Sequence, residues 1–529
     1  MLIKIIPILF LLLTCKGPDK PDTLPTIKEP PMKTKEELKR DLSSANFYDR
    51  SQALVEIGKL KDKEFIPEIK KLLKKDVNPA VRGSAAIALG ELEDKSSTGD
   101  IIELFKDKEI STDVVLDALT RMKDPVSTNS IIPLLDSNEH TIRLLTVEAL
   151  SQIGSTSGSD KIISMASANK DLEKAKTYAM VIGKLKLTKG EAVLLQLAET
   201  AEPSPTLAAT YLALGRIKSK KAIPILARAI GKDFDKGREN SILSLKEIGD
   251  TSANPLLIDY LKNKNKEIQI GAADVMSTLY DLKTAEAVSK LLESSDKSVF
   301  APSAFVLGRY KYEPSRKRIE AVAVDPTNSD REVIAQALGW MQNKESIPVL
   351  KQILQEKDGE GRYGAAWSLG MLNAEDAIDL LQEAANSRDN KLSRIAIESL
   401  GQIHSPKSLT FLTNKLESNK DLSASLLSSI ASIPGTEAAH VLDKYALSSE
   451  PVVQRSALQA ILQRKDKENI PVLIKLLEGN TSGDTINFAQ LALKGITGES
   501  FSTRNEWVNW YNKKNRWIKW ILIKQLHCT

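Results

Sequence analysis

A chain of 529 residues has room for about three or four ordinary domains, yet only 5% of it is aromatic, so any core must be built from Leu, Ile, Val and Ala. A net charge of +5 on 74 basic and 69 acidic side chains, with no basic block, argues against nucleic acid as a partner. Two cysteines at opposite ends, Cys15 and Cys528, exclude a disulfide framework, and His140, His404, His440 and His527 show no ligand spacing, so neither a metal nor a cofactor is expected.

Met1 to Thr14 holds one lysine, Lys4, ahead of the apolar run Ile5 to Leu13. That run is too short for a bilayer, which takes about 20 residues, and it has the form of a secretory signal peptide. Leu12-Leu13-Thr14-Cys15 resembles the lipobox of bacterial lipoproteins, with Thr14 where Gly, Ala or Ser is usual. The resemblance implies a signal peptide over 1–14 and a lipidated Cys15 that holds the protein to a membrane of the cell envelope. Lys16, where Asp would signal inner-membrane retention, favours the outer membrane, with the protein facing the periplasm or the cell surface. Residues 15–32 carry Pro18, Pro21, Pro25, Pro30 and Pro31 and read as a semi-rigid tether. Its seventeen residues after the cysteine reach roughly 50 Å.

From residue 33 to 498 one pattern repeats. An aliphatic residue ahead of a small one marks each unit: Ile57, Leu89, Leu119, Leu150, Ile182, Leu214, Leu245, Leu279, Leu307, Leu338, Leu369, Leu400, Ile430, Ile461 and Leu493. The mean interval is close to 31, and the two outliers, 34 and 28 on either side of Leu279, are adjacent, as one local shift in a turn would make them. Around each marker the apolar residues keep helical spacing, as in Val81, Ala85, Ala88/Leu89 and Leu92. Glycine follows the marker in eight units (Gly58, Gly90, Gly183, Gly215, Gly308, Gly339, Gly370, Gly401), which points to a close helix crossing or a tight helix end. Ten residues past the marker, Pro67, Pro224, Pro255, Pro348 and Pro471 open a further helix.

Each unit therefore reads as two antiparallel helices, and a 31-residue helix pair resembles the HEAT repeat, in particular the short HEAT-like type of phycobilisome lyases. The tetratricopeptide pattern, with its 34-residue period, is missing. The resemblance implies an all-α, right-handed α-solenoid of about fifteen two-helix repeats.

Few residues along this rack suggest chemistry. Arginine stands seven places before the marker as Arg50, Arg82, Arg143, Arg238, Arg331 and Arg362, and one place later as Arg394 and Arg455. Two readings stand: a ladder in which each arginine pairs with a turn carboxylate, or a basic stripe for an acidic partner with Arg331, Arg362 and Arg394 as contacts. Gly359-Glu360-Gly361-Arg362-Tyr363-Gly364 matches GxGxxG, but it follows a helix and not a strand, so no dinucleotide site is expected. Trp340 and Trp367, on adjacent units of an aromatic-poor chain, read either as core or as a partner contact patch. Residues 499–529 leave the pattern; Trp507 and Trp510 are placed to cap the last repeat, and Arg516 to Lys524 is apolar and basic together, as cap packing or a segment touching lipid.

A long surface without a catalytic constellation points to a membrane-anchored, non-enzymatic scaffold that binds one or more proteins. Two alternatives stay open: an accessory subunit or lyase-like enzyme acting on a chromophore or protein substrate, implied by the lyase relatives of the repeat, and an envelope spacer without a specific ligand.

Overall fold

The aliphatic stripe folds as its period requires. The structure is a computed structural model describing residues 33–231, 235–479 and 481–514, and no strand occurs among the described residues. The lipobox, the tether and the segment Arg516 to Lys524 lie outside them. Thirty α-helices pair into fifteen repeats, from Lys35–Leu42 with Phe47–Leu60 to Ile470–Glu478 with Gly483–Thr497. In each repeat the first is called the A helix and the second the B helix. The repeats form two compact units, one running to Tyr260 and taking in Ile270–Val275, the other formed by Leu261–Gln269 and everything from Met276 onward.

Local chemistry sets each boundary. The turn into an A helix begins as a 3-10 turn whose preceding Asp or Asn accepts a backbone N–H, as Asp62 does from Glu64 at 3.1 Å and Asn343 from Glu345 at 2.9 Å. The α-helix follows, with Pro67 or Pro348 in its first turn, where no N–H is needed. B helices open in the same way: Asn78 caps Pro79–Glu91, and Asp389 caps Asn390–Gln402 through the N–H groups of Lys391 and Leu392. Twelve of them close four residues past the marker on a left-handed residue. Gly154 and Gly249 fill that place, but so do Lys61, Lys123, Lys186, Lys218, Lys311 and Lys465, with φ between 51° and 56°. A cation there faces the negative end of the helix dipole, which offsets part of the left-handed cost of about 1–2 kcal/mol.

The markers form the core; Ile57, Leu89, Leu119, Leu150, Ile182 and Leu214 are all fully buried in the first unit. Deleting one such side chain to alanine costs about 2–5 kcal/mol. The glycine after the marker is a close crossing between successive B helices, as expected. A Cβ on Gly215 would lie 2.6 Å from the Cα of Ser244, and one on Gly339 would lie 2.9 Å from that of Ser368. The facing serine uses this proximity: Ser244 donates to the Tyr211 carbonyl, Ser368 to that of Ala335 and Ser429 to that of Ile397, at 2.8, 2.8 and 2.9 Å. Gly58 is the exception, its nearest neighbour being the Glu91 side chain at 3.4 Å.

The irregular interval does not come from a shifted turn. The B helix of that repeat is Lys266–Met276, and fully buried Met276 holds the marker position; Leu279 lies three residues beyond the helix end. Both intervals become 31, and the outliers arise from an aliphatic-only rule passing over a methionine.

After the last repeat, Thr503 and Glu506 form a reciprocal cap, Glu506 accepting the Thr503 N–H at 2.9 Å and Thr503 accepting that of Glu506 at 3.3 Å. Phe501, Trp507 and Trp510 cluster edge to face, with Phe501 and Trp507 centroids 4.9 Å apart. Trp507 is buried and Trp510 half-buried.

Candidate functional site

Seven residues before the marker, a long polar side chain reaches back over its own repeat. The Nε of Arg238, Arg331 and Arg362 donates to the carbonyls of Ile230, Ala323 and Leu354, in the last turn of the A helix, at 3.1, 2.8 and 3.3 Å. The Nη1 of Arg50, Arg82 and Arg143 donates to turn carbonyls of Ser44, Asp76 and Ser137 at 2.8, 3.0 and 2.9 Å. Helix C-termini leave such carbonyls without intrahelical donors, so the arginine is first a helix cap. Arg50, Arg82 and Arg331 are among those that also reach the next repeat. Arg50 chelates Asp76 at 2.7 and 2.8 Å, Arg82 holds Asp107 at 2.6 Å, and Arg331 holds Glu356 at 2.7 Å. Burial pushes the Asp76 carboxyl up, but Arg50, the Asn78 N–H and Arg82 together hold it below its ordinary 3.8.

This geometry separates the three arginines expected as partner contacts. Arg331 is only 6% exposed and already engaged on both sides, so it is a rung between repeats and not an open contact. Arg362 is half-buried on the carbonyls of Leu354 and Lys357. Arg394 is exposed, because its repeat fills the rung position with Ser393, which caps the Ala385 carbonyl at 2.6 Å. Arg455 likewise stands one place past Gln454, which caps the Ala446 carbonyl at 3.1 Å.

With the marker side buried, the B-helix surface is a row of positions six and two residues before the marker and two after it, one helical turn apart. Arg309, Trp340, Trp367, Tyr363 and Arg394 occupy this row in four successive repeats of the second unit. Trp340 and Trp367 are half-buried on this row, each partly open to solvent, with ring centroids 5.0 Å apart at 54°. The Arg309 guanidinium lies 4.4 Å over the Trp340 ring, a stack worth about 0.5–2 kcal/mol. Beside them Tyr363 donates to Asp389 at 2.6 Å, which pushes the phenol up to about 12 and holds Asp389 low. Lys391 lies 4.0 Å over the Tyr363 ring and donates to Glu332 at 2.6 Å. These bonds tie three successive repeats together on the face that carries the indoles. Arg309 and Tyr363 escaped the reading of the sequence, although each shares a column with a tryptophan: Arg309 is 31 residues before Trp340, and Tyr363 is one turn before Trp367.

The glycine-rich match is structural. Gly359 turns with φ +110°, Gly361 starts a B helix, and a Cβ on Gly364 would strike the Glu332 carbonyl. Among the described residues no three His, Cys, Asp or Glu side chains converge as metal ligands, and no helix is long and apolar enough to cross a membrane.

No curated protein matches the chain in sequence. Among solved structures, Kap121p is similar with a TM-score of 0.52 at 11% identity, over 84% of this chain and 59% of that one, so the chain spans well under two thirds of its length. Importin beta matches with a TM-score of 0.40 at 12% identity, over 87% of this chain and 84% of that one. The CpcE and CpcF complex of phycocyanin lyase from Nostoc sp. PCC7120 matches with 0.29 at 19% identity, over 52% and 94%. At 11% identity the likeness to Kap121p is one of fold. The family model for HEAT repeats matches residues 36–114, 159–246, 315–401 and 352–431. Those spans take in more than half of the sequence, and the chain belongs to the HEAT-repeat family.

Proposed function

We propose that this protein is a non-enzymatic, protein-binding scaffold of the bacterial cell envelope, anchored through a lipid on Cys15, with the outer membrane favoured and the repeats facing the periplasm or cell surface. The observation that carries the binding role is the outward Arg309–Trp340–Trp367 stack. Indoles and a stacked guanidinium, pre-ordered on rigid helices, are the side chains that concentrate binding energy at interfaces. Arg394 extends the same row, and Arg362, in the first turn of the helix that carries Trp367, is held on the Leu354 and Lys357 carbonyls. The signal-peptide pattern and Leu12-Leu13-Thr14-Cys15 support the anchor.

A photocrosslinker at Gln336, on the same row one turn before Trp340, tests the reading in native cells. A defined protein adduct that disappears in Trp340→Ala and Trp367→Ala supports it; adducts with abundant membrane proteins alone, unchanged in the variants, defeat it. Cys15→Ala should abolish lipid labelling and release the protein from membranes.

A further inference from the structure

The turns that lead from each B helix into the next A helix lie along one edge of the first unit and touch their neighbours. Thr98 donates to Asp124 at 2.5 Å, Lys189 pairs with Asp160 at 2.9 Å, and Lys220 with Asp250 at 2.8 Å. Lys35, at the start of the first A helix, pairs with Asp62 of the first such turn at 2.7 Å, so the chain enters the fold on this same edge. Most acids of the edge are occupied: Glu64 by Lys35 and Lys39, Asp94 by Lys70 and Glu191 by Lys221.

Six further lysines of the edge are not. Lys61, Lys63, Lys95, Lys123, Lys186 and Lys218 are exposed and make no ion pair with a carboxylate, against two exposed acids in the same condition, Glu68 and Glu93. Four of the six stand on the left-handed residue that closes a B helix, in the first, third, fifth and sixth repeats, a place taken by Glu93, Gly154 and Gly249 in the others, and the repeat sets all four on this edge. Leu60, 44% exposed, and Val126, 71% exposed, add apolar side chains to it.

We infer that this edge of the first unit rests on an anionic lipid surface. A row of unpaired lysines with interspersed apolar residues matches the chemistry of acidic headgroups, each lysine near such a surface contributing about a fivefold gain in affinity. The first A helix begins on this edge, at Lys35, so an anchor on Cys15 joins the fold there. The inference deepens the proposed anchoring and rests on it for the choice of a membrane over an acidic protein.

The test uses the full chain carrying Cys15→Ala, so that no acyl chain contributes. It is sedimented with vesicles of phosphatidylcholine alone and of phosphatidylcholine with phosphatidylglycerol. Binding should require phosphatidylglycerol and weaken as salt rises. The further replacements Lys61→Gly, Lys123→Gly, Lys186→Gly and Lys218→Gly, which suit a left-handed backbone and preserve the fold, should together weaken it on the order of a thousandfold. Equal binding to both vesicles, undiminished binding by the glycine variant, or a preference for soluble polyglutamate over the anionic vesicles would overturn the inference. Lipid labelling of Cys15 in the otherwise unaltered protein is read separately: labelling without headgroup dependence removes the edge and keeps the anchor, and headgroup dependence without labelling does the reverse.

Discussion

Arg50 grips both carboxylate oxygens of Asp76 across the boundary between the first and second repeats, at 2.7 and 2.8 Å, with both side chains nearly buried. Arg50→Ala leaves that carboxylate without its partner and strips the Ser44 carbonyl of a donor. The expected loss is about 2 kcal/mol, between the costs of surface and buried ion pairs. The pH dependence has a definite sign. Because the folded pKa of Asp76 lies below its ordinary 3.8, the pair contributes above that value and its contribution disappears as pH falls through the lower one. Denaturant melts at descending pH should show the wild type losing this increment under about pH 4, while Arg50→Ala, lacking it throughout, shows a shallower acid slope.

Glycine after the marker gives a matched pair of opposite outcomes. Gly339→Ala forces a methyl to within 2.9 Å of the Ser368 Cα and should cost about 1–3 kcal/mol by overpacking. At Gly58 the nearest atoms, Glu91 Cβ at 3.4 Å and Ala88 Cα at 3.5 Å, stand at ordinary van der Waals distance, so Gly58→Ala should stabilise by up to about 1 kcal/mol through helix propensity. Thermal denaturation of the two variants decides both.

Lys218→Gly relieves a left-handed backbone at φ 55° and should raise stability by about 0.5–1 kcal/mol, reduced by the glycine's greater unfolded freedom. Lys218→Pro, which cannot adopt that φ, should destabilise by more than glycine gains. Chemical denaturation of both variants is the check.

Trp507→Ala removes the buried member of the Phe501–Trp507–Trp510 cluster and should cost about 3–5 kcal/mol locally. Hydrogen exchange should show lost protection over residues 504–514, with the first unit unchanged.

The period, the helix pairs and the close glycine crossings were all legible in the amino acids, because they follow from which residues are apolar or small. Met276 was not, since methionine fills a Leu position without belonging to the aliphatic set. Nor was the left-handed helix end: glycine at Gly154 and Gly249 hints at it, but lysine in the same place reads as an ordinary surface residue. The arginine column was visible, while its acceptors were not, because half of them are main-chain carbonyls that no side-chain pattern records. The two tryptophans were singled out by scarcity, yet whether they faced in or out depended on a helical phase that only the fold supplied.

The arginine rung also bears on how the protein comes apart. Arg331 holds the end of its own A helix through Ala323 and the next repeat through Glu356 with one guanidinium. If the following repeat unravels, it withdraws the carboxylate that orients this arginine, and the A helix behind loses its cap in turn. Unfolding should then run through such a boundary as a zipper, and stall at repeats such as that of Ser393, whose hydroxyl secures its own helix without reaching the neighbour.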